Sequence, residues 1–163
     1  KVIQAYVDLT MCLFKFECDF YDTKNMHSFF LGHPFSQLQP KNKQELISKY
    51  NLDSSKELIS ILPGSRASEI SQLMPVYVAA AKKLHNLNSN RYFVIPAANQ
   101  KLAEMIQSTK GINDIPYKLS IDSAQDFLSL SSISIVTSGT ASLEAAVLGS
   151  VPIICYKTNI IDN

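Results

Sequence analysis

From Glu57 onward the apolar positions fall into short blocks separated by polar, glycine- and proline-containing punctuation. The block Glu57–Leu62 is β-branched and of strand length. After it the period becomes helical over about Ser68–Leu87, with Pro75 bending that helix or marking a late start. The alternation then repeats: strand Arg91–Ile95, helix Gln100–Gln107, short strand Pro116–Leu119 and short helix Ser123–Leu130. Strand Ile133–Thr137, helix Thr140–Leu148 closed by Gly149, and strand Pro152–Tyr156 complete the series. Strands alternating with helices predict right-handed βαβ crossovers, hence an α/β fold: a Rossmann-like parallel sheet with helices on both faces.

The first third is less regular. Asp8–Phe14 reads as a buried strand, Glu17–Lys24 as a short helix, and Ser28–Leu31 as an aromatic strand ended by Gly32-His33-Pro34. Residues 35–56 are polar, with a helix-like Lys43–Tyr50, and Lys41, Lys43 and Lys49 read as a solvated face. This polar run is the clearest boundary in the chain.

Composition narrows the classes. At 163 residues and 46% hydrophobic the chain can bury one core, or one core with part of a second domain. A net charge of +1 gives no support to nucleic-acid binding. Cys12, Cys18 and Cys155 are odd in number and lack C-x-x-C spacing, which argues against a zinc site or disulfide framework and for a reducing compartment. Cys155 reads as core, His85 as a surface residue favoured by its helix dipole, and His33 as a turn histidine or a residue on a site rim. His27 has no evident partner, and no Ser-His-Asp or metal-ligand constellation stands out. No charged start precedes an apolar core, so no signal peptide is expected, and the missing initiator Met suggests a longer parent chain. Ile133–Tyr156 is too broken by polar residues to cross a bilayer, so a soluble protein is expected.

Two strand-to-helix turns carry the candidate chemistry. In Pro63-Gly64-Ser65-Arg66 glycine lets the backbone approach a ligand, helix N–H groups point the same way, and Arg66 adds a fork matched to phosphate. The same residues also fit an ordinary βα loop whose arginine is solvated or pairs with Glu69. Ser138-Gly139-Thr140 repeats the logic with small side chains, and Glu144 sits one helical turn further on, placed to accept hydrogen bonds from ribose hydroxyls. Singly, Glu144 also fits a carboxylate complementing a helix dipole. Together the turns point to a nucleoside diphosphate beyond the carboxyl ends of the strands.

The ordered series I-L-P-G-S-R-A-S-E-I and T-S-G-T-A-S-L-E-A-A resembles the bacterial lipid-A-disaccharide synthases, family 19 glycosyltransferases of the two-domain GT-B type. L-F-K-F-E at Leu13–Glu17, F-Y-D at Phe20–Asp22, L-G-H-P at Leu31–Pro34, V-I-P-A-A at Val94–Ala98 and P-I-I-C-Y-K at Pro152–Lys157 agree with it. The resemblance implies transfer of diacylglucosamine from its UDP carrier to diacylglucosamine 1-phosphate at the cytoplasmic face of the inner membrane, without cofactor or metal. It implies that Gly64, Ser65, Arg66, Ser138, Gly139 and Thr140 hold the diphosphate, that Arg66 supports it as leaving group, and that Glu144 faces the ribose. Residues 1–33 are then expected to be a remnant of the acceptor domain, 34–56 a linker and first helix, and 57–163 the nucleotide-sugar domain. The catalytic base is expected on the acceptor domain, and a downstream S-L-P-N segment outside this sequence.

Lys15, Gln37 and Ser132 depart from the family pattern, standing where proline, aspartate and aspartate are usual. Two alternatives stay open: another UDP-sugar GT-B enzyme, such as the N-acetylglucosaminyltransferase of peptidoglycan synthesis, or a non-catalytic nucleotide-binding module. The Phe29-Phe30 strand offers apolar surface for self-association, so a homo-oligomer also stays open.

Overall fold

The computed structural model describes residues 2–157; Lys1 and the last six residues of the expected nucleotide domain, 158–163, lie outside the described residues. The chain divides into two compact units, one reaching to Leu38 and the other starting at Gln39.

The first unit holds helix α1 (Val2–Tyr6), strand β1 (Thr10–Cys12), helix α2 (Lys15–Asp22) and strand β2 (Ser28–Phe30). β1 and β2 pair in parallel, Thr10 opposite Ser28, with α2 as the crossover. The strand expected over Asp8–Phe14 is shorter and not buried throughout: Cys12 is buried, whereas Met11, Phe29 and Phe30 are more than half exposed. A two-stranded sheet has too little surface to cover both faces of a strand. His33 is a turn residue, its Nδ1 accepting from the Phe35 N–H while the ring lies between Phe14 and Phe35.

The second unit begins with helix α3 (Lys43–Tyr50) and strand β3 (Glu57–Leu62). It continues through α4 (Ala67–Leu87), β4 (Arg91–Ala97), α5 (Gln100–Gln107), β5 (Tyr117–Ile121), α6 (Ala124–Leu130), β6 (Ile133–Thr137), α7 (Thr140–Val147) and β7 (Val151–Cys155). The five strands form one all-parallel sheet in the order β5-β4-β3-β6-β7. Side-chain alternation splits the core in two. Ile59, Ile61, Phe93, Ile95 and Ile135 pack with α4 and α5, whereas Leu58, Tyr92 and Val94 meet Leu46 and Tyr50 of α3 and Phe127 and Leu130 of α6. The helices therefore cover both faces, as a parallel sheet requires.

Pro75 does not interrupt α4, because it lies on the exposed side, where the Ser71 carbonyl that loses its donor can reach water. His85 is not a plain surface residue: its Nδ1 donates to the Arg91 carbonyl at 3.1 Å, tying the end of α4 to β4. Cys155 is only partly buried, since β7 is an edge strand with Val151, Ile153 and Ile154 more than half exposed.

The same acidic cap starts the first crossover helix of each unit. Glu17 Oε2 accepts from the Leu13 and Phe14 N–H groups at 3.0 and 2.8 Å. Glu69 Oε2 accepts from Ser65 and Arg66 at 3.0 and 3.2 Å. Gly64 lies at φ +106° directly beneath Glu69. The lysines of the polar run are exposed as expected, but two of them also have a buried partner. Lys41 and Lys49 hydrogen-bond the buried carboxylate of Asp126 on α6, and Tyr50 donates to it at 2.6 Å. Burial alone would push this carboxyl up, and the hydrogen bonds from Lys41, Lys49 and Tyr50 override it, lowering it from 3.8 to about 2.

Asp126→Ala leaves two cations and a phenol unpaired and should lower the unfolding free energy by roughly 2–4 kcal/mol, read from urea midpoints. Because the folded carboxyl titrates below its unfolded value, its stabilisation is complete above about pH 4 and is lost as the pH falls toward about 2. The advantage of the wild type over Asp126→Asn should shrink across that window, and a constant difference would contradict the assignment. At the turn, a Cβ on Gly64 would lie 2.3 Å from Glu69 Oε2. Gly64→Ala should therefore cost about 1–3 kcal/mol from clash and left-handed strain. Adding Glu69→Ala should recover part of it, making the double variant less destabilised than the sum of the singles; strict additivity would remove Glu69 as the reason for the glycine.

Candidate functional site

In this strand order β3 and β6 are neighbours whose following helices leave toward opposite sides, which opens a crevice at their carboxyl ends. A cavity of about 470 Å³ occupies it. Its walls are the β3–α4 turn (Pro63 to Arg66, with Glu69), the end of β4 (Pro96 to Ala98), the β5–α6 turn (Asp122 to Ala124) and the β6–α7 turn (Thr137 to Ala141, with Glu144). All seven residues singled out from the sequence, Gly64, Ser65, Arg66, Ser138, Gly139, Thr140 and Glu144, line this one cavity. Ala98, from the V-I-P-A-A motif, also lines it, as do Asp122 and Ser123, which the sequence did not single out as site residues.

The two turns differ in what they leave available. At the first, the Ser65 and Arg66 N–H groups expected to be open to an anion already donate to Glu69. The close approach that Gly64 permits is to that carboxylate, not to open space. Arg66 Nη1 donates to Glu69 Oε1 at 3.0 Å, so the pairing foreseen for an ordinary βα loop is formed. With the guanidinium side chain 79% exposed, that ion pair is worth little, and Arg66 remains part of the cavity lining.

At the second turn the Ser138 amide is not available either, because it donates to the Cys155 carbonyl at 2.8 Å, continuing the β6–β7 ladder. The amides of Gly139, Thr140 and Ala141, at the start of α7, have no acceptor among the described residues. Gly139 takes φ +155°, and a side chain at that position would meet no atom within 4 Å. The hydroxyls of Ser138 and Thr140 flank these amides. The result is a set of backbone donors at a positive helix end, suited to an anion, with the exposed guanidinium of Arg66 lining the same cavity.

Beneath these donors, the Tyr77 hydroxyl of α4 lies 2.9 Å from Thr137 Oγ1. Burial pushes this phenol up to about 12, so it stays protonated and braces the end of β6. On the α7 side, Glu144 Oε1 accepts from Gln125 Nε2 of α6 at 2.9 Å. Gln125 escaped the sequence reading because a contact between two short helices leaves no periodic trace. Among the described residues no group of three His, Cys, Asp or Glu is arranged to hold a metal ion.

The family model for lipid-A-disaccharide synthetase matches residues 1–163. The lipid-A-disaccharide synthase of Hydrogenovibrio crunogenus is 37% identical over 93% of this chain and 41% of its own length. That of Acinetobacter baylyi is 34% identical over 98% and 43%, and that of Hahella chejuensis 33% identical over 96% and 40%. The chain thus spans about two fifths of the length of the relatives it matches. With the family model matched from end to end, the chain belongs to the lipid-A-disaccharide synthetase family.

Proposed function

We propose that the second unit is the donor-nucleotide domain of a lipid A glycosyltransferase and that its cavity holds the diphosphate and ribose of a UDP-linked diacylglucosamine. The observation that carries this reading is the convergence of Arg66, the Gly139–Ala141 amides and Glu144 on one cavity at the crevice of a parallel sheet. In the proposed reaction a hydroxyl oxygen of diacylglucosamine 1-phosphate bonds to the donor sugar's anomeric carbon while that carbon's bond to the diphosphate breaks. The hydroxyl proton passes to a base expected on the acceptor domain. UDP departs with growing negative charge, which the α7 amides and Arg66 stabilise more strongly as it develops. No metal is required in this scheme, since fixed dipoles and one guanidinium do the neutralising.

Both substrates carry acyl chains, so the reaction is placed at the surface of the inner membrane. Among the described residues no helix is long and apolar enough to cross it. Glu144, one helical turn beyond the start of α7 and in the lining of the same cavity, is assigned to the ribose hydroxyls.

The test is titration with UDP and with inorganic pyrophosphate, followed by calorimetry and amide NMR. UDP should perturb Gly139, Thr140 and Ala141, and binding elsewhere or none would refute the assignment. Glu144→Ala should weaken UDP by about 1.5–3 kcal/mol, the worth of a hydrogen bond to a charged group, while pyrophosphate changes little. Equal losses for the two ligands would return Glu144 to a helix-stabilising role.

A further inference from the structure

Glu144 does not stand in the cavity wall alone. Its Oε1 receives the Gln125 side-chain amide at 2.9 Å. A carboxylate only accepts, so the NH₂ end of Gln125 must face it. Both side chains are half-buried, and no donor among the described residues is paired with Oε2. One oxygen is therefore tied down and the other is presented.

Gln125 is itself well fixed. Its neighbour Asp126 is gripped by Lys41, Lys49 and Tyr50, and its own carbonyl accepts from the Ser129 hydroxyl at 2.7 Å. The start of α6 is thus anchored on one side by the Asp126 cluster and reaches Glu144 on the other. A ligating carboxylate whose rotation is already restricted loses less entropy when a ligand engages it.

We propose that Gln125 is a positioning residue that orients Glu144 toward the ribose and thereby sets the preference for ribonucleoside over dideoxyribonucleoside diphosphates. This rests on the assignment of Glu144 to the ribose. Gln125 itself need not touch the nucleotide: it acts through the carboxylate.

The experiment compares UDP, 2′,3′-dideoxy-UDP and inorganic pyrophosphate by calorimetry on the wild type, Gln125→Leu, Gln125→Arg and Glu144→Ala, with thermal melts of each. The wild type should favour UDP over the dideoxy analogue by roughly tenfold, the low end for a charged hydrogen bond. Gln125→Leu should cut that ratio below about threefold while leaving pyrophosphate affinity and the melting temperature near wild type. A tie that only held α6 to α7 would move the melt and not the ratio. Gln125→Arg keeps a donor facing the carboxylate and should restore the preference. If Glu144→Ala loses the preference but Gln125→Leu keeps it, the positioning role is overturned while the ribose assignment stands. If Glu144→Ala keeps it too, or the wild type shows none, the ribose assignment itself fails and the positioning role with it.

Discussion

In a sheet whose five strands all run parallel, no strand can return by a hairpin, so each connection must cross a face as a helix. Everything else in the second unit depends on that constraint. It buries β3, β4 and β6 between two layers of helices, which is why Ile61, Phe93, Val94, Ile95 and Val136 are nearly solvent-free. It also delivers every strand-to-helix turn to the same edge. Between β3 and β6 the helices diverge, and the crevice left there is where the walls from four successive turns meet.

Holding two helix layers on one sheet requires specific ties as well as apolar contact. Asp126 supplies one between α3 and α6. A carboxylate at this depth would be costly alone, but three donors compensate it, and they come from the segment expected to be a linker and first helix. Residues 41–50 thereby belong with the sheet that follows them. The Glu17 and Glu69 caps are ties of a second kind, each converting a sharp β-to-α turn into a hydrogen-bonded corner.

Much of this was legible in the sequence because period and punctuation are local properties. Glu57–Leu62, Lys43–Tyr50, Gln100–Gln107 and Ile133–Thr137 have the bounds expected from their patterns, and the other expected elements shift by a residue or two, whereas α1 had no counterpart in the sequence reading. The misreadings involve partners distant in sequence. Nothing near Lys41 or Lys49 announces an aspartate some eighty positions later, and nothing in α6 announces that Gln125 meets α7. β7 reads as apolar and hence as core, yet burial of a strand depends on having neighbours on both sides, which no local pattern encodes. Glu69 was visible as a salt-bridge partner of Arg66, but its spacing of three from the N-cap is also that of a capping box, and the cap decides the geometry.

That cap changes the division of labour between two turns of similar sequence. Each combines glycine, serine and the start of a helix, and from composition alone each serves a phosphate equally well. The carboxylate of Glu69 fills the donors of the first, so what that turn offers a ligand is chiefly the outward-facing guanidinium of Arg66. The second turn has no acidic residue in its first helical turn, and its Gly139–Ala141 amides remain without a partner among the described residues. Under the proposed function, backbone donors on one side and an exposed guanidinium on the other would suit a leaving group whose charge grows during reaction. In that proposed reaction the amides would fix position and the exposed arginine would meet the growing charge.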